Sequence, residues 1–306
     1  MRFIWGNFLV STAPQQRDKT LPPPQRPDFL LHSCGMNITI PFLKMHGLSN
    51  DFVIVDARGR DVPLGAAAVR ALAHRKTGIG CDQVVVIGAS SRADVAMTIL
   101  NADGGEVAAC GNATRCIADV VMTETGRDQC CIETKAGLLT AARTAQGWIA
   151  VDMGPARWDW RDIPLSQDKD TGAIMVQGLQ GCAVNVGNPH CVFWTDDVAS
   201  APVTTLGPRI ETDPLFPDRT NVEWAQILDP ATIIMRVWER GVGETDACGT
   251  GACAVALCAH RAGLTGSQVT VQMRGGALAI TLRDDGHVIM AGPSTLSFRG
   301  TVEVEG

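Results

Sequence analysis

Two short segments of the chain repeat one arrangement of reactive groups. Gly105, Glu106, Ala109, Cys110 and Gly111 recur as Gly243, Glu244, Ala247, Cys248 and Gly249, giving GExxACG twice. A cysteine in an Ala-Cys-Gly step ahead of a helical pattern sits beside unpaired backbone N–H groups and the positive end of the helix dipole. The sequence therefore predicts thiols that ionise below the ordinary value of about 8.5. The same N–H groups form a cradle for a carboxylate. When the carbon beside a carboxylate loses a proton, charge builds on the carboxylate oxygens, so those donors grip the transition state more tightly than the ground state. Two thiols on opposite faces of one carbon suit inversion, one removing hydrogen as a thiolate while the other supplies it. The chain contains no tyrosine, so Cys, His, Asp, Glu or Lys must move the protons. His190 and Glu239, each inside a motif, are the expected tuners of the pair.

The repetition extends beyond the cysteines at one fixed offset, 248 − 110 = 138 positions. Asn50 falls on Asn188, and Gly154-Pro155 falls on Gly292-Pro293. An internal duplication explains this set, and a doubled fold leaves a cleft between its halves where a ligand sits. After the second motif, Ala252 to Ala259 is apolar on every side of a helix, so protein must wrap that helix all round.

Composition excludes several other roles. With 306 residues, 45% of them apolar and 19% charged, the chain is an ordinary globular one of about two domains. The apolar run Ala252–Ala259 falls far short of the roughly 20 residues that span a bilayer, so no membrane association is expected. The net charge of −6 comes from interspersed residues and offers no basic stripe, so nucleic acid is not an expected partner. Eleven cysteines, an odd and scattered set, point to a reduced, cytoplasmic setting. None forms a CxxC pair, and no metal is expected. Cys116, Cys130, Cys131, Cys182, Cys253 and Cys258 read as small buried apolar groups, His46 and His74 as structural or surface residues, and Cys81 stays open.

These groups need elements to position them. Asn37–Met45, Phe52–Asp56, Gln83–Ile87 and Ala96–Asn101 pattern as strands, and Leu64–Arg75 and Gly111 to about Glu124 as helices. Strand-like segments at 131–143 and 148–156 follow, then a Pro- and Trp-rich link at Pro155–Pro164. The expected fold is α/β (α+β): two pseudo-symmetric domains, each a curved mixed β-sheet around one buried helix, with the active site in the cleft between them. Residues 1–36, rich in proline, read as an unstructured extension, with Met36 directly before the first regular pattern. Residues 37–152 with 292–306 form one expected domain and 153–291 the other.

From about Met36 to Gly306 the chain resembles the diaminopimelate epimerase family of pyridoxal-independent amino-acid epimerases. The segments that carry the resemblance are KMHGLSNDFVIVD at 44–56, GIGCDQ at 78–83, NADGGEVAACGNATRC at 101–116, GNPHC at 187–191, RTNVEW at 219–224 and ERGVGETDACGTGACA at 239–254. The resemblance implies that Cys110 and Cys248 are the acid/base pair interconverting LL- and meso-diaminopimelate without a cofactor, in lysine and peptidoglycan-precursor synthesis. It implies that Gly111 with Asn112 and Gly249 with Thr250 bind the reacting carboxylate. Asn50, Gln83, Asn101, Asn188, Asn221, Glu239 and Arg240 would then hold the rest of the substrate, and His190 and Glu239 would adjust the thiols. Gln83 and Asn221, like Asn101 and Glu239, also fall at the 138 offset. Family members are often homodimers with a tyrosine at the position aligned with Phe298, where this chain has none. Ala113, where glycine is usual, and Cys81 are further departures.

Other readings make different demands. A proline- or histidine-type racemase of the same fold would usually carry His after the first Cys-Gly, where Asn112 stands, and would not need Arg240. A pyridoxal enzyme needs a Schiff-base lysine, which neither motif contains. A thiol redox sensor could use two facing cysteines, but only an enzyme turns over a chiral amino acid.

Overall fold

The computed structural model describes residues 37–305, apart from Pro63 and Ala109; the expected extension over 1–36 lies outside the described residues. In the first half, β1 (Asn37–Gly47), β2 (Asn50–Asp56), α1 (Ala66–Ala73), β3 (Gln83–Gly88), β4 (Val95–Asn101), β5 (Glu106–Val107), α2 (Gly111–Thr125), β6 (Gln129–Thr134), β7 (Gly137–Arg143) and β8 (Ile149–Pro155) follow in order. The second half holds β9 (Ile174–Val176), β10 (Leu179–Asn185), β11 (Pro189–Trp194), α3 (Val203–Glu211), β12 (Asn221–Asp229), β13 (Thr232–Glu239), β14 (Gly243–Thr245), α4 (Gly249–Arg261), β15 (Gln268–Met273), β16 (Gly276–Leu282) and β17 (His287–Gly292). A last strand, β18 (Thr295–Glu305), returns to pair antiparallel with β1.

The pairings repeat as the sequence does. Strands β2 and β3 run parallel, as do β11 and β12. The antiparallel pairs β3–β4, β6–β7 and β7–β8 match β12–β13, β15–β16 and β16–β17. The parallel pair β4–β6 matches β13–β15. Antiparallel pairing of β8 with β17 joins the halves into one continuous sheet.

Each half curls around one helix. Ala113 to Ala118 of α2 are buried without a break, and so are Gly251 to Ala259 of α4. Around α2 pack Phe52, Ile54, Val85, Ile99, Ile132 and Val151, and around α4 pack Val184, Val192, Met235, Val271, Ile280 and Val288. Both helices therefore lie inside their sheets, as the all-round apolar character of Ala252–Ala259 requires. The expected Leu64–Arg75 helix is shorter, because its extended C-cap at His74 opens a turn in which the His74 ring accepts from the Thr77 backbone N–H at 3.1 Å. Cys131 is another difference: it is partly exposed instead of buried. Cys81 is a core residue, packed with Val69, Leu72 and Val84, and burial pushes its thiol up to about 11. No helix among the described residues is long and apolar enough to cross a membrane.

A two-residue turn, Leu48-Ser49, links β1 to β2 with φ of 59° and 67°. Side chains rarely adopt this left-handed backbone, and such strain is retained only where the surroundings enforce it. Enforcement comes from the other half: a Cβ on Gly275 would lie 2.4 Å from the Leu48 carbonyl oxygen. The turn sets Asn50 at the base of its hairpin.

Because Ile117 is fully enclosed in the α2 core, Ile117→Ala is expected to lower unfolding free energy by about 2–5 kcal/mol, read by urea titration.

Candidate active site

Cys110 and Cys248 are the N-cap residues of α2 and α4, each with extended backbone (φ −150° and −132°). The Cys248 sulfur accepts from the Gly251 N–H at 3.4 Å and lies 3.5 Å from the Thr250 hydroxyl. The Cys110 sulfur points to Asn50, 3.7 Å from Oδ1. The two helix starts approach one another closely. A Cβ added to Gly249 would lie 2.8 Å from Met290 Sδ and 3.5 Å from Asn112 Oδ1, and one added to Gly111 would lie 2.6 Å from Met290 Cε. Glycine at both first helical positions lets the amino ends converge on the same methionine.

Of the other expected residues, Asn50 and Asn112 lie at the α2 end, while the rest are tied to partners of their own. Asn112 Nδ2 donates to Asn50 Oδ1 at 3.2 Å, and Asn50 Nδ2 donates to Asp82 Oδ2 at 2.9 Å. Asp82 is tied to Asp51 through both backbone N–H groups, and Arg75 bridges the two carboxylates. Burial works to raise the Asp51 carboxyl, but hydrogen bonds from Arg75 and Lys44 outweigh it and hold the group well below the usual range. This network fixes which face of the Asn50 amide meets Cys110. Gln83 Nε2 donates to Asn101 Oδ1 at 2.9 Å across β3 and β4, leaving Gln83 Oε1 buried without a partner. In the second half, Asn221 Nδ2 donates to the Pro189 carbonyl, and its Oδ1 accepts from the Arg240 N–H at 2.9 Å. The Arg240 guanidinium is exposed and donates to the Asp218 carbonyl at 3.1 Å.

His190 is enclosed completely, with Nδ1 2.6 Å from Glu223 Oε1 and Nε2 2.8 Å from Asn188 Oδ1. Glu223 is as fully buried, its Oε2 has no partner, and a Cβ on Gly251 would lie 2.9 Å from its Oε1. It thus sits beneath the first turn of α4. Glu223 lies in RTNVEW but carries no signal of its own in the sequence, because Asn221, Gln226 and Asp229 make polar residues ordinary in this strand.

The electrostatics correct one expectation. Burial pushes the Cys110 thiol up, and the backbone N–H groups of Ala113 and Asn112 recover only part of that rise. Cys248 is driven well above the ordinary thiol range by burial, then by the carboxylates of Glu239 and Glu223, with Thr250 and the Gly251 N–H opposing. The helix ends do ease ionisation, as predicted, but loss of water around the sulfurs outweighs them. Glu239 is itself raised by burial, while hydrogen bonds from Thr245 and Cys248 and the charge of His190 lower it. Glu239, at the end of β13, thus accepts from Cys248, and its charge also disfavours the Cys110 thiolate.

Among the described residues no group of three or more His, Cys, Asp or Glu is arranged to hold a metal ion. An open groove of about 520 Å³ across β6, β7, β8 and β17 is lined by Asp94, Arg127, Cys131, Asp152 and Arg283 and shares no residue with the cysteine site.

The family profile described as Diaminopimelate epimerase matches residues 42–159 and 182–297. This chain belongs to the diaminopimelate epimerase family. A diaminopimelate epimerase of Rhodospirillum centenum is 50% identical over 266 residues, covering 85% of this chain and 91% of the relative. One of Erythrobacter litoralis is 51% identical over 268 residues, covering 86% and 97%. Among solved structures, a phenazine biosynthesis protein of the PhzF family from Bacillus anthracis superposes with a TM-score of 0.63 at 16% identity, covering 87% of this chain and all of that one. A hydroxyproline epimerase from Agrobacterium vitis with bound trans-4-hydroxy-L-proline gives 0.62 at 15%, covering 87% and 92%. At such identities the two structures show a common fold of two pseudo-symmetric domains and nothing finer.

Glu239 disfavours both thiolates. Removing its charge in Glu239→Gln therefore makes ionisation easier, and the pH midpoints for iodoacetamide alkylation of Cys110 and Cys248 are expected to fall by about one unit. Peptide mass spectrometry reads both sites, and unchanged midpoints would contradict the assigned cause.

Proposed function

We propose that the protein interconverts LL- and meso-diaminopimelate by two-base proton transfer at one α-carbon, with Cys110 and Cys248 as the pair. It is an isomerase, an epimerase. The observation that carries this reading is the approach of two cysteine-capped helix ends, both against Met290. Membership of the family supports the substrate assignment.

The geometry supplies the steps. The free N–H groups opening α2 and α4 receive the α-carboxylate, assisted by Asn112 and Thr250. As the substrate enters, its α-ammonium brings positive charge to thiols that burial otherwise keeps protonated, and one ionises, its proton leaving to solvent water. That thiolate removes the α-hydrogen, charge moves onto the carboxylate held by the helix ends, and the opposite thiol returns a proton to the other face. The second thiol is left ionised, so the reverse reaction starts from the complementary state. His190, pinned between Glu223 and Asn188, sets the field felt by Glu239 and through it by Cys248. Asn50, Gln83, Asn101, Asn221 and Arg240 would hold the distal amino-acid centre, Arg240 being suited to its carboxylate.

The same reading includes a reducing, cytoplasmic setting, since two neighbouring thiols that oxidise to a disulfide cannot transfer protons. It also includes a homodimer in which the exposed Leu296 and Phe298 pack apolar surface, Phe298 standing edge-on to Phe42 with ring centroids 5.9 Å apart.

The decisive experiment incubates purified protein with LL-diaminopimelate in heavy water and no added cofactor. Deuterium at one α-carbon with formation of the meso isomer is expected, and Cys110→Ala and Cys248→Ala should each lose at least about 10³-fold in turnover. Undiminished turnover in either variant would remove that cysteine from the mechanism. Turnover of proline or histidine in its place would move the protein to another substrate.

A further inference from the structure

Glu223, on β12, is a fully enclosed carboxylate whose one hydrogen-bond partner among the described residues is a histidine. Its Oε1 lies 2.6 Å from His190 Nδ1, and its Oε2 is buried with no partner. His190 is enclosed as completely, and its other ring nitrogen, Nε2, lies 2.8 Å from Asn188 Oδ1. Asn188 stands just before β11 and is partly exposed. The three side chains form a row that begins in the core and ends at an accessible amide.

Protons can be placed along this row in two ways. If the pair holds a single proton, it lies between Oε1 and Nδ1; Nε2 is then bare, and the pocket contains a net negative charge. If a second proton sits on Nε2, the pair is neutral overall, whether the first is nearer Nδ1 or Oε1. An uncompensated charge in an enclosed site is costly, and Glu239 on β13 adds a second carboxylate that bears on the pair. The other titratable groups facing Glu223 are the thiols of Cys191 on β11 and of Cys248 and Cys258 on α4, none of which supplies a cation. Burial therefore favours the neutral pair. Its Nε2–H needs an acceptor, so Asn188 has to offer its oxygen, in the orientation observed, and Nδ2 is left to donate elsewhere.

The duplication supplies a contrast. Asn50, 138 positions earlier, gives its Nδ2 to the Asp82 carboxylate, which only accepts, and so turns Oδ1 to Asn112 and Cys110. The residue 138 positions after Asp82 is Thr220, which has no carboxylate to hold Asn188 in that sense. Equivalent asparagines are thus fixed in opposite directions, one offering an oxygen and the other an NH2 group.

We propose that Glu223 is a positioning residue: together with His190 it keeps two protons, one between Oε1 and Nδ1 and one on Nε2, and so presents the Asn188 NH2 group to a carboxylate oxygen of the ligand. The part played by Asn188 rests on the function proposed above; the arrangement of protons does not.

Two measurements test the two parts. Neutron diffraction from crystals of the unaltered full-length protein, produced in heavy water, distinguishes nitrogen from oxygen and locates deuterium. Deuterium on His190 Nε2, with the Asn188 oxygen towards it, is expected; a bare Nε2, or an Asn188 ND2 group turned to His190, would overturn the proposal without any variant. In solution, Glu223→Leu and Asn188→Ala, both checked for folding by circular dichroism, should each raise KM for LL-diaminopimelate by about tenfold. Because Glu223 acts through Asn188, the double variant should raise it no further than Asn188→Ala alone, whereas multiplied effects would show that the two act independently and overturn the assigned role. Absence of turnover in the unaltered protein would refute the proposed substrate and leave the neutron result to decide the proton arrangement.

Discussion

Two helix amino termini pointing at the same place repel one another. Each carries the partial positive charge of unpaired N–H groups, and here Gly111 and Gly249 bring those ends against a single residue, Met290. Much of the molecule can be understood as holding that unfavourable meeting in place. Each helix is wrapped on every side by its own sheet, so neither can withdraw. The sheets are continuous through β8 and β17, and the strained Leu48-Ser49 turn of one half is pressed against Gly275 of the other. An anion arriving at the junction relieves the repulsion, so the frame favours a carboxylate before any side chain recognises it.

Burial and dipole act on the thiols in opposite directions, and the balance falls on the side of burial. For a proton-transfer enzyme this has a use. Thiols kept protonated in the empty site resist oxidation, because the thiolate is the reactive form. Ionisation is then tied to arrival of a charged substrate, and the Asp51–Arg75–Asp82 cluster spends its strong pairing on holding Asn50 and not on the sulfurs.

What could be read from the sequence follows from how local each signal is. The cysteine N-caps and the wrapped α4 were legible because an Ala-Cys-Gly step and an all-apolar helix are consecutive patterns. The duplication was legible because its matching residues, from Asn50 to Gly154, keep one spacing of 138. Strands β6 and β15 fall one position off the shared offset, yet the pairings of the halves match strand for strand. The burial of Glu223 and Arg115 was not legible, although both stand inside segments that carry the family resemblance. Both depend on the assembled fold: Arg115 and Glu223 are fully enclosed, and among the described residues Glu223 Oε2 has no partner. No spacing rule reports a missing neighbour. The direction of the thiol shifts was misjudged for the same reason, since desolvation is a sum over the whole fold and a cap is a matter of four residues.

The fold itself does not choose the substrate. Proteins sharing 15–16% identity with this chain superpose over most of its length, so very different sequences build the same frame. Selection must lie in side chains at the rim and in charges beneath the helix ends. A small cyclic amino acid carries one carboxylate and one nitrogen, and two helix ends with two sulfurs already account for its reacting centre. Gln83 is paired with Asn101 in one half, and Asn221 accepts from the Arg240 N–H in the other. Gln83 Oε1 is buried and unpaired, an acceptor awaiting a donor, and Arg240 leaves its guanidinium exposed. A second ammonium and a second carboxylate at the far end of a linear chain would satisfy both, which is why the outer residues, more than the cysteines, argue for a substrate with two amino-acid ends.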